Sequence, residues 1–185
     1  MKDVPVELVS LGFVLIVVGL VLVYTLITGI SPLPTMPRAK AAMFDLLPSD
    51  LDGTIYELGS GWGTLAFPLA RRHPGCRVVA YESSPVPWLV SKLCQGVWRL
   101  PNLTLSRGDF YRAGLGDAAL VVCYLFPGGM RKLEPKLAQE LRPGALVLSN
   151  FFRLPGWQPI GERALGDLHD SRIYLYRATG PATRV

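Results

Sequence analysis

The stretch Ile55-Tyr56-Glu57-Leu58-Gly59-Ser60-Gly61-Trp62-Gly63 constrains this chain more than any other. An apolar lead-in runs into glycines at alternate positions. A helical pattern then follows through Leu65, Ala66, Phe67, Leu69 and Ala70. Such a sequence predicts a strand, a glycine turn and a helix N-terminus. Glycine lacks Cβ and tolerates positive φ, so a ligand can come close to the backbone there. An adenosine-bearing cofactor is the first ligand to expect.

The rest of the chain supports that geometry. After a short helix over 38–47, strand-like and helix-like segments alternate: strands at 54–58, 77–81, 103–106, 118–125 and 145–149, with helices at 65–72, 85–97 and 130–141. Further strands are expected at 160–165 and 172–177. The apolar run Ala118 to Leu125 fits a strand covered on both faces. Alternating units of this kind predict an α/β fold, a Rossmann-like three-layer sandwich around a mostly parallel seven-stranded sheet. Ligands then bind at the carboxyl ends of the strands.

Ahead of this domain, no residue from Leu8 to Ile30 is charged. About 20 apolar residues suffice for a helix to cross a bilayer. The run is too long for a signal peptide's apolar region, and Lys2 is offset by Asp3 and Glu7. One N-terminal transmembrane helix is therefore expected in residues 1–30, a proline-rich linker in 31–37, and the catalytic domain in 38–185. Arg38 and Lys40 after the run outnumber Lys2 before it, which puts the domain on the cytoplasmic, or matrix-equivalent, side of the membrane. The net charge of +5 also favours contact with anionic surfaces. Cys76, Cys94 and Cys123 are widely spaced and lie in or beside apolar runs, as buried free thiols do.

Three acids fall just where strands should end. A dinucleotide-binding turn would read G-x-G-x-x-G. Here the third glycine comes one residue early, and Glu57 stands before the first. A carboxylate at that place repels a pyrophosphate and attracts a cationic ligand, which favours S-adenosylmethionine over a nicotinamide dinucleotide. Glu82 closes the second strand, about twenty residues on, where an acid accepts hydrogen bonds from ribose hydroxyls. Asp109 and Phe110 follow the third strand, placed to meet an adenine amine and its ring. The expected cofactor site is thus Glu57, Gly59, Ser60, Gly61, Gly63, Glu82, Ser83, Asp109 and Phe110.

In the order of these signals, residues 38 to 178 resemble class I, seven-stranded S-adenosylmethionine-dependent methyltransferases. Within that class the chain is similar to the membrane-anchored protein-lysine methyltransferases that act on the ATP synthase c-subunit and the adenine nucleotide translocase. The shared features are the N-terminal apolar segment, Glu57-Leu58-Gly59-Ser60-Gly61, and Tyr81-Glu82 with Pro85 and Trp88-Leu89-Val90. Two later runs complete the likeness: Phe126-Pro127 with Met130 and Leu133-Glu134-x-Lys136-Leu137, then Phe151-x-x-Leu154-Pro155-x-Trp157-x-Pro159. The resemblance implies that the loop around Tyr124 to Pro127 lines the methyl-acceptor side, with Phe126 and Pro127 facing the substrate and a membrane protein as the acceptor. Tyr124 is the candidate catalytic residue, as a group able to orient an amine; Glu57 is the second option.

The chain departs from the group in three places. Trp62 replaces a small acidic residue, Pro68 is expected to remove a backbone bond early in its helix, and Pro87 is expected to shift the start of the next. No Asn/Asp-Pro-Pro-aromatic box follows the fourth strand, so base methylation of DNA is not expected, nor is a nucleic-acid partner. His73 and His169 lack a nucleophile elbow, and no ligand cluster suggests a metal. Two rivals remain: methylation of a lipid or small-molecule amine, and an inactive methyltransferase fold acting as a membrane assembly factor. The bulk of Trp62 in the glycine loop is the main support for the second.

Overall fold

The computed structural model describes residues 5–28, 35–167 and 170–180. Most of the proline-rich linker, Lys2, Ile30 and His169 lie outside the described residues. Helix α1 (Val6–Thr28) precedes α2 (Pro37–Leu46), and then strands and helices alternate. They are β1 (Thr54–Leu58), α3 (Ala66–Arg72), β2 (Arg77–Glu82), α4 (Pro85–Trp98), β3 (Leu103–Arg107), β4 (Ala118–Cys123), α5 (Pro127–Glu140), β5 (Leu146–Asn150), β6 (Gly161–Ala164) and β7 (Arg172–Arg177).

The seven strands form one sheet in the order β3-β2-β1-β4-β5-β7-β6. Strands β1 to β5 pair in parallel. The last two run antiparallel, β7 against β5 and β6 against β7. From β1 the chain winds outward through β2 and β3, then returns to β4 on the other side of β1. This reversal opens a crevice at the carboxyl ends of β1 and β4, the usual ligand position in an open α/β sheet.

Side chains alternate between two cores because successive residues of a strand face opposite ways. Ile55, Val78, Leu120 and Leu148 pack with Met43 of α2 and Phe67 and Leu69 of α3. Tyr56, Val79, Val121 and Val147 face α5 through Met130, Leu133 and Leu137. At the amino edge, Asp117 accepts hydrogen bonds from Thr54 Oγ1 (2.9 Å) and Tyr56 Oη (2.7 Å), clamping the start of β1 to the start of β4.

Pro68, the third residue of α3, interrupts the backbone ladder as the sequence suggests: Phe67 and Leu69 on either side donate to Gly63 O and Leu65 O, and the bond to Thr64 O between them is the one proline cannot make. Pro87 does less: it is the third residue of α4, which begins at Pro85, where the first-turn N–H groups have no intrahelical acceptor, so it removes no bond and shifts no start. Pro135, by contrast, lies inside α5 and leaves the carbonyl of exposed Arg131 without its usual donor.

Helix α1 is apolar all round. Its window Val6–Val23 has a mean hydropathy of 2.8, is long enough to cross a membrane, and is not buried by the rest of the protein.

Candidate active site

Five loops meet at the carboxyl edge of the parallel strands, and together they carry every residue singled out from the sequence. The β1–α3 loop holds the glycines. The amides of Gly59 and Ser60 both donate to the Tyr81 carbonyl, at 3.0 and 2.8 Å, and Gly63 N–H donates back to Ser60 O at 2.9 Å. All three glycines take positive φ: +84° at Gly59, +53° at Gly61 and +76° at Gly63. At Gly63 a Cβ would come within 2.5 Å of the Phe67 ring, so both φ and space require glycine.

Glu82 locks this loop. It is 7% exposed, and its Oε2 accepts from Gly61 N–H at 2.7 Å while Oε1 accepts from Ser84 N–H at 2.7 Å. One carboxylate therefore joins the glycine loop to the start of α4. Each oxygen keeps a second lone pair for a ligand hydroxyl. Ser84 is the N-cap of α4 but makes no side-chain capping bond; Ser83 beside it is exposed. Ser91 Oγ of α4 donates to Gly61 O at 3.1 Å, a second tie between the same elements.

Glu57 lies one pleat deeper on β1. It is 4% exposed, and its Oε2 is buried without a hydrogen-bond partner. Burial first, and the nearby Glu82 carboxylate second, push its pKa up to about 8; Lys40 of α2 opposes them. A buried acid left unpaired in this way is held protonated until a cation arrives.

Asp109 follows β3. It is exposed, and its Oδ1 accepts from Tyr111 N–H at 2.9 Å, capping the 3-10 turn Phe110–Arg112. Its other oxygen has no partner among the described residues. Phe110 is buried in the α5-side core with its ring 4.4 Å from that of Tyr111, a position that supports the loop from beneath.

On the far side of the crevice, Tyr124 is the first residue after β4. Burial raises its pKa, and its ring lies 6.3 Å from that of Phe151. Phe126 is the N-cap of α5 and Pro127 its first residue; both are exposed, with the Phe126 ring closing over Gly128 and Gly129.

Three further residues belong to this edge or act on it, and of these Asn150 carries no motif in the sequence. Asn150 ends β5, is buried, and leaves Oδ1 without a partner. Cys123 pairs with Ser149 across β4 and β5, and both face Met130 of α5, so Tyr124 and Asn150 fall together on the opposite face. Phe151 next to it holds φ +75°, a strained conformation for a side chain of its size, and makes tilted ring contacts with Tyr124 and Phe152. Lys40 of α2, a flanking charge in the sequence, acts electrostatically on Glu57. A polar residue ending a buried apolar strand was the signal for Asn150. Nothing in the sequence pattern marks Lys40.

Trp62 does not stand alone in the glycine loop. It helps line a cavity of about 610 Å³ between α2, α3 and the end of α4, together with Phe44, Phe67, Trp98 and Lys40.

The fold, the glycine loop and the ordered strand-end acids define a class I S-adenosylmethionine-dependent methyltransferase. Comparison with known proteins narrows this: the chain belongs to the ANTKMT methyltransferase domain family, whose model matches residues 57–161. It is 34% identical over 137 residues to the adenine nucleotide translocase lysine N-methyltransferase of Mus musculus, covering 72% of this chain and 57% of that protein. It is 26% identical over 147 residues to a protein-lysine N-methyltransferase of Saccharolobus islandicus, covering 77% of this chain and 90% of the relative. Among solved structures, an RNA methyltransferase from Salinibacter ruber in complex with S-adenosyl-L-homocysteine superposes with a TM-score of 0.71 at 28% identity, over 83% of this chain and 98% of that one. This chain thus spans little more than half the length of the mouse relative.

The cofactor of this family is S-adenosylmethionine, and the residues present fit it. The orphaned Glu57 oxygen provides an anionic partner for a cation, while Glu82 and Asp109 each retain free acceptor capacity at the edge. When bound, S-adenosylmethionine supplies an electrophilic methyl carbon carried on a sulfonium. The chain itself offers a loop kept open by glycines and, at its edge, the acceptor oxygens of Glu82 and Asp109.

Proposed function

We propose that this protein is an N-methyltransferase that modifies a lysine of a membrane-associated protein, with α1 as a single-pass anchor and the catalytic domain on the cytoplasmic or matrix-equivalent side. The observation that carries the reading is the placement of Tyr124 and Asn150 at the carboxyl edge, each one residue past the paired Cys123 and Ser149. Methyl transfer to an amine is a displacement that depends on positioning more than on acid–base chemistry. A lysine amine must be neutral and must point its lone pair at the methyl carbon. The unpartnered Asn150 Oδ1 accepts one of its N–H groups, the Tyr124 hydroxyl accepts another, and the Phe151 ring beside Tyr124 disfavours the charged ammonium by excluding water. The names of the Mus musculus and Saccharolobus islandicus relatives support a protein lysine as the acceptor. An anchor suits such a substrate because it raises the local concentration of enzyme at the membrane.

The test is methyl transfer from isotopically labelled S-adenosylmethionine to whole membranes and RNA incubated with the full chain, followed by fractionation. Label on lysine in the protein fraction supports the reading. Label confined to the lipid extract favours the head-group alternative, and label confined to RNA would align the chain with the Salinibacter structure; either result overturns the lysine reading. Absence of any binding of S-adenosylhomocysteine would leave only the inactive-fold alternative.

A further inference from the structure

Helix α4 is apolar on the wrong side. Its inward face, Pro87 and Ser91 with half-buried Cys94, packs on β2 and β3. A surface helix should then be polar outward. Instead Leu89 (53% exposed), Leu93 (68%) and Val97 (82%) fall on one outward stripe with Val90. The spacing 89, 93, 97 with 90 between places all four within about 100° of arc at 100° per residue. Trp98, also exposed, closes the end of the stripe.

The charges on α4 and the segments that flank it have one sign. From Ser83 to Gly108 the sequence has no Asp or Glu, and its charged residues are Lys92, Arg99 and Arg107. Arg71 of α3 lies over the Trp98 ring at 4.9 Å. Tryptophan with basic side chains around an apolar stripe is the composition of an interfacial helix, apolar face in the acyl region and cations among anionic head groups. Helix α1, the candidate span, lies against α4. The stripe therefore continues the apolar surface of the helix that would cross the bilayer.

We propose that the outward face of α4 rests on an anionic phospholipid bilayer beside the α1 anchor, so that the catalytic domain is held in one orientation rather than swinging on its linker. This rests on the reading of α1 as a membrane anchor. Helix α5 lies on the opposite face of the sheet and would then point away from the membrane. The carboxyl edge bearing Tyr124 and Asn150 stands beside the bilayer, where a lysine near the membrane surface can reach it.

The test uses the full chain with Cys94→Ser, reconstituted in vesicles of phosphatidylcholine and phosphatidylglycerol, with a nitroxide spin label at one site at a time: Val97→Cys on α4, Val18→Cys on α1 and Gln139→Cys on α5. Power saturation with oxygen and with a water-soluble nickel chelate reports immersion. The expected result is nickel exclusion and oxygen access at Val97 as well as Val18, with Gln139 open to nickel. Val97 as open to nickel as Gln139, while Val18 is immersed, overturns the docking and leaves the anchor standing. Val18 open to nickel overturns the anchor and the docking with it. Spin–spin broadening between Val97 labels on separate chains would put a second copy on this face and also overturn the bilayer assignment. In a companion measurement, Leu93→Asp with Val97→Asp should leave S-adenosylhomocysteine affinity unchanged. Methylation of a membrane substrate should fall about tenfold, an effect equivalent to about 1.4 kcal/mol. Unchanged methylation in that variant overturns the proposal.

Discussion

Cofactor binding should release a proton, and Glu57 is the group that releases it. Its carboxyl is buried, its Oε2 has no partner, and its pKa stands at about 8 against an ordinary 4.5. At pH 7 such a group is about nine-tenths protonated. If the carboxylate form is the one that meets the cationic end of S-adenosylmethionine, binding at pH 7 displaces close to one proton. Apparent affinity then rises about tenfold per pH unit up to 8 and levels off above it, a gain of about a hundredfold between pH 6 and 9. The amine of the ligand titrates in the same range. The readout is therefore the ratio of dissociation constants for Glu57→Gln and the unmodified chain, in which ligand titration cancels. That ratio should climb with pH, and calorimetry in buffers of different ionisation enthalpy should count the proton.

The same shift acts on stability with a definite sign. Below pH 4.5 the carboxyl is neutral in both folded and unfolded chains. Between 4.5 and 8 the unfolded chain has lost the proton that the fold still holds, so the ligand-free protein loses stability as pH rises. The limit is the full shift, about 5 kcal/mol above pH 8. Glu57→Gln mimics the neutral form and should remove this slope, so that its melting temperature overtakes the unmodified protein's as pH climbs. A ratio of dissociation constants flat from pH 6 to 9, with parallel melting curves, would mean that Lys40 already holds Glu57 ionised and would refute the reasoning.

Three further outcomes are expected. Glu82→Ala removes the acceptor for Gly61 and Ser84 amides and for the ligand's hydroxyls; at about 1.5–3 kcal/mol for a bond to a charged group, the S-adenosylhomocysteine dissociation constant should rise about 10- to 100-fold by calorimetry. Gly63→Ala sets a Cβ 2.5 Å from the Phe67 ring at φ +76° and should cost about 1–3 kcal/mol, read as a lower denaturation midpoint. Asn150→Ala should lower kcat by about tenfold or more while cofactor affinity holds, since it removes an acceptor for the nucleophile alone; equal losses in cofactor binding would assign Asn150 to the cofactor instead.

Much of this fold was legible because the local signals agree with one another. Strands β1 and β7 begin and end where the sequence pattern says, and Pro85 starts α4 as a first-turn proline should. The glycine loop and the three acids were legible for a different reason: in a parallel sheet, chain order alone brings successive strand ends to one edge. What stayed hidden depends on which elements pack together. Lys40 sits seventeen residues before Glu57 on a helix whose placement the sequence does not specify, and only folding of α2 onto the β1 face brings them near. Asn150 was hidden because the strand seemed complete at Ser149, yet β5 runs one residue further to match Ile173 of β7. That added residue sets the polar group at the carboxyl edge and leaves Phe151 to turn with positive φ. The antiparallel return of β7 thus shapes the side of the crevice proposed for the acceptor, across from the glycine loop proposed for the cofactor.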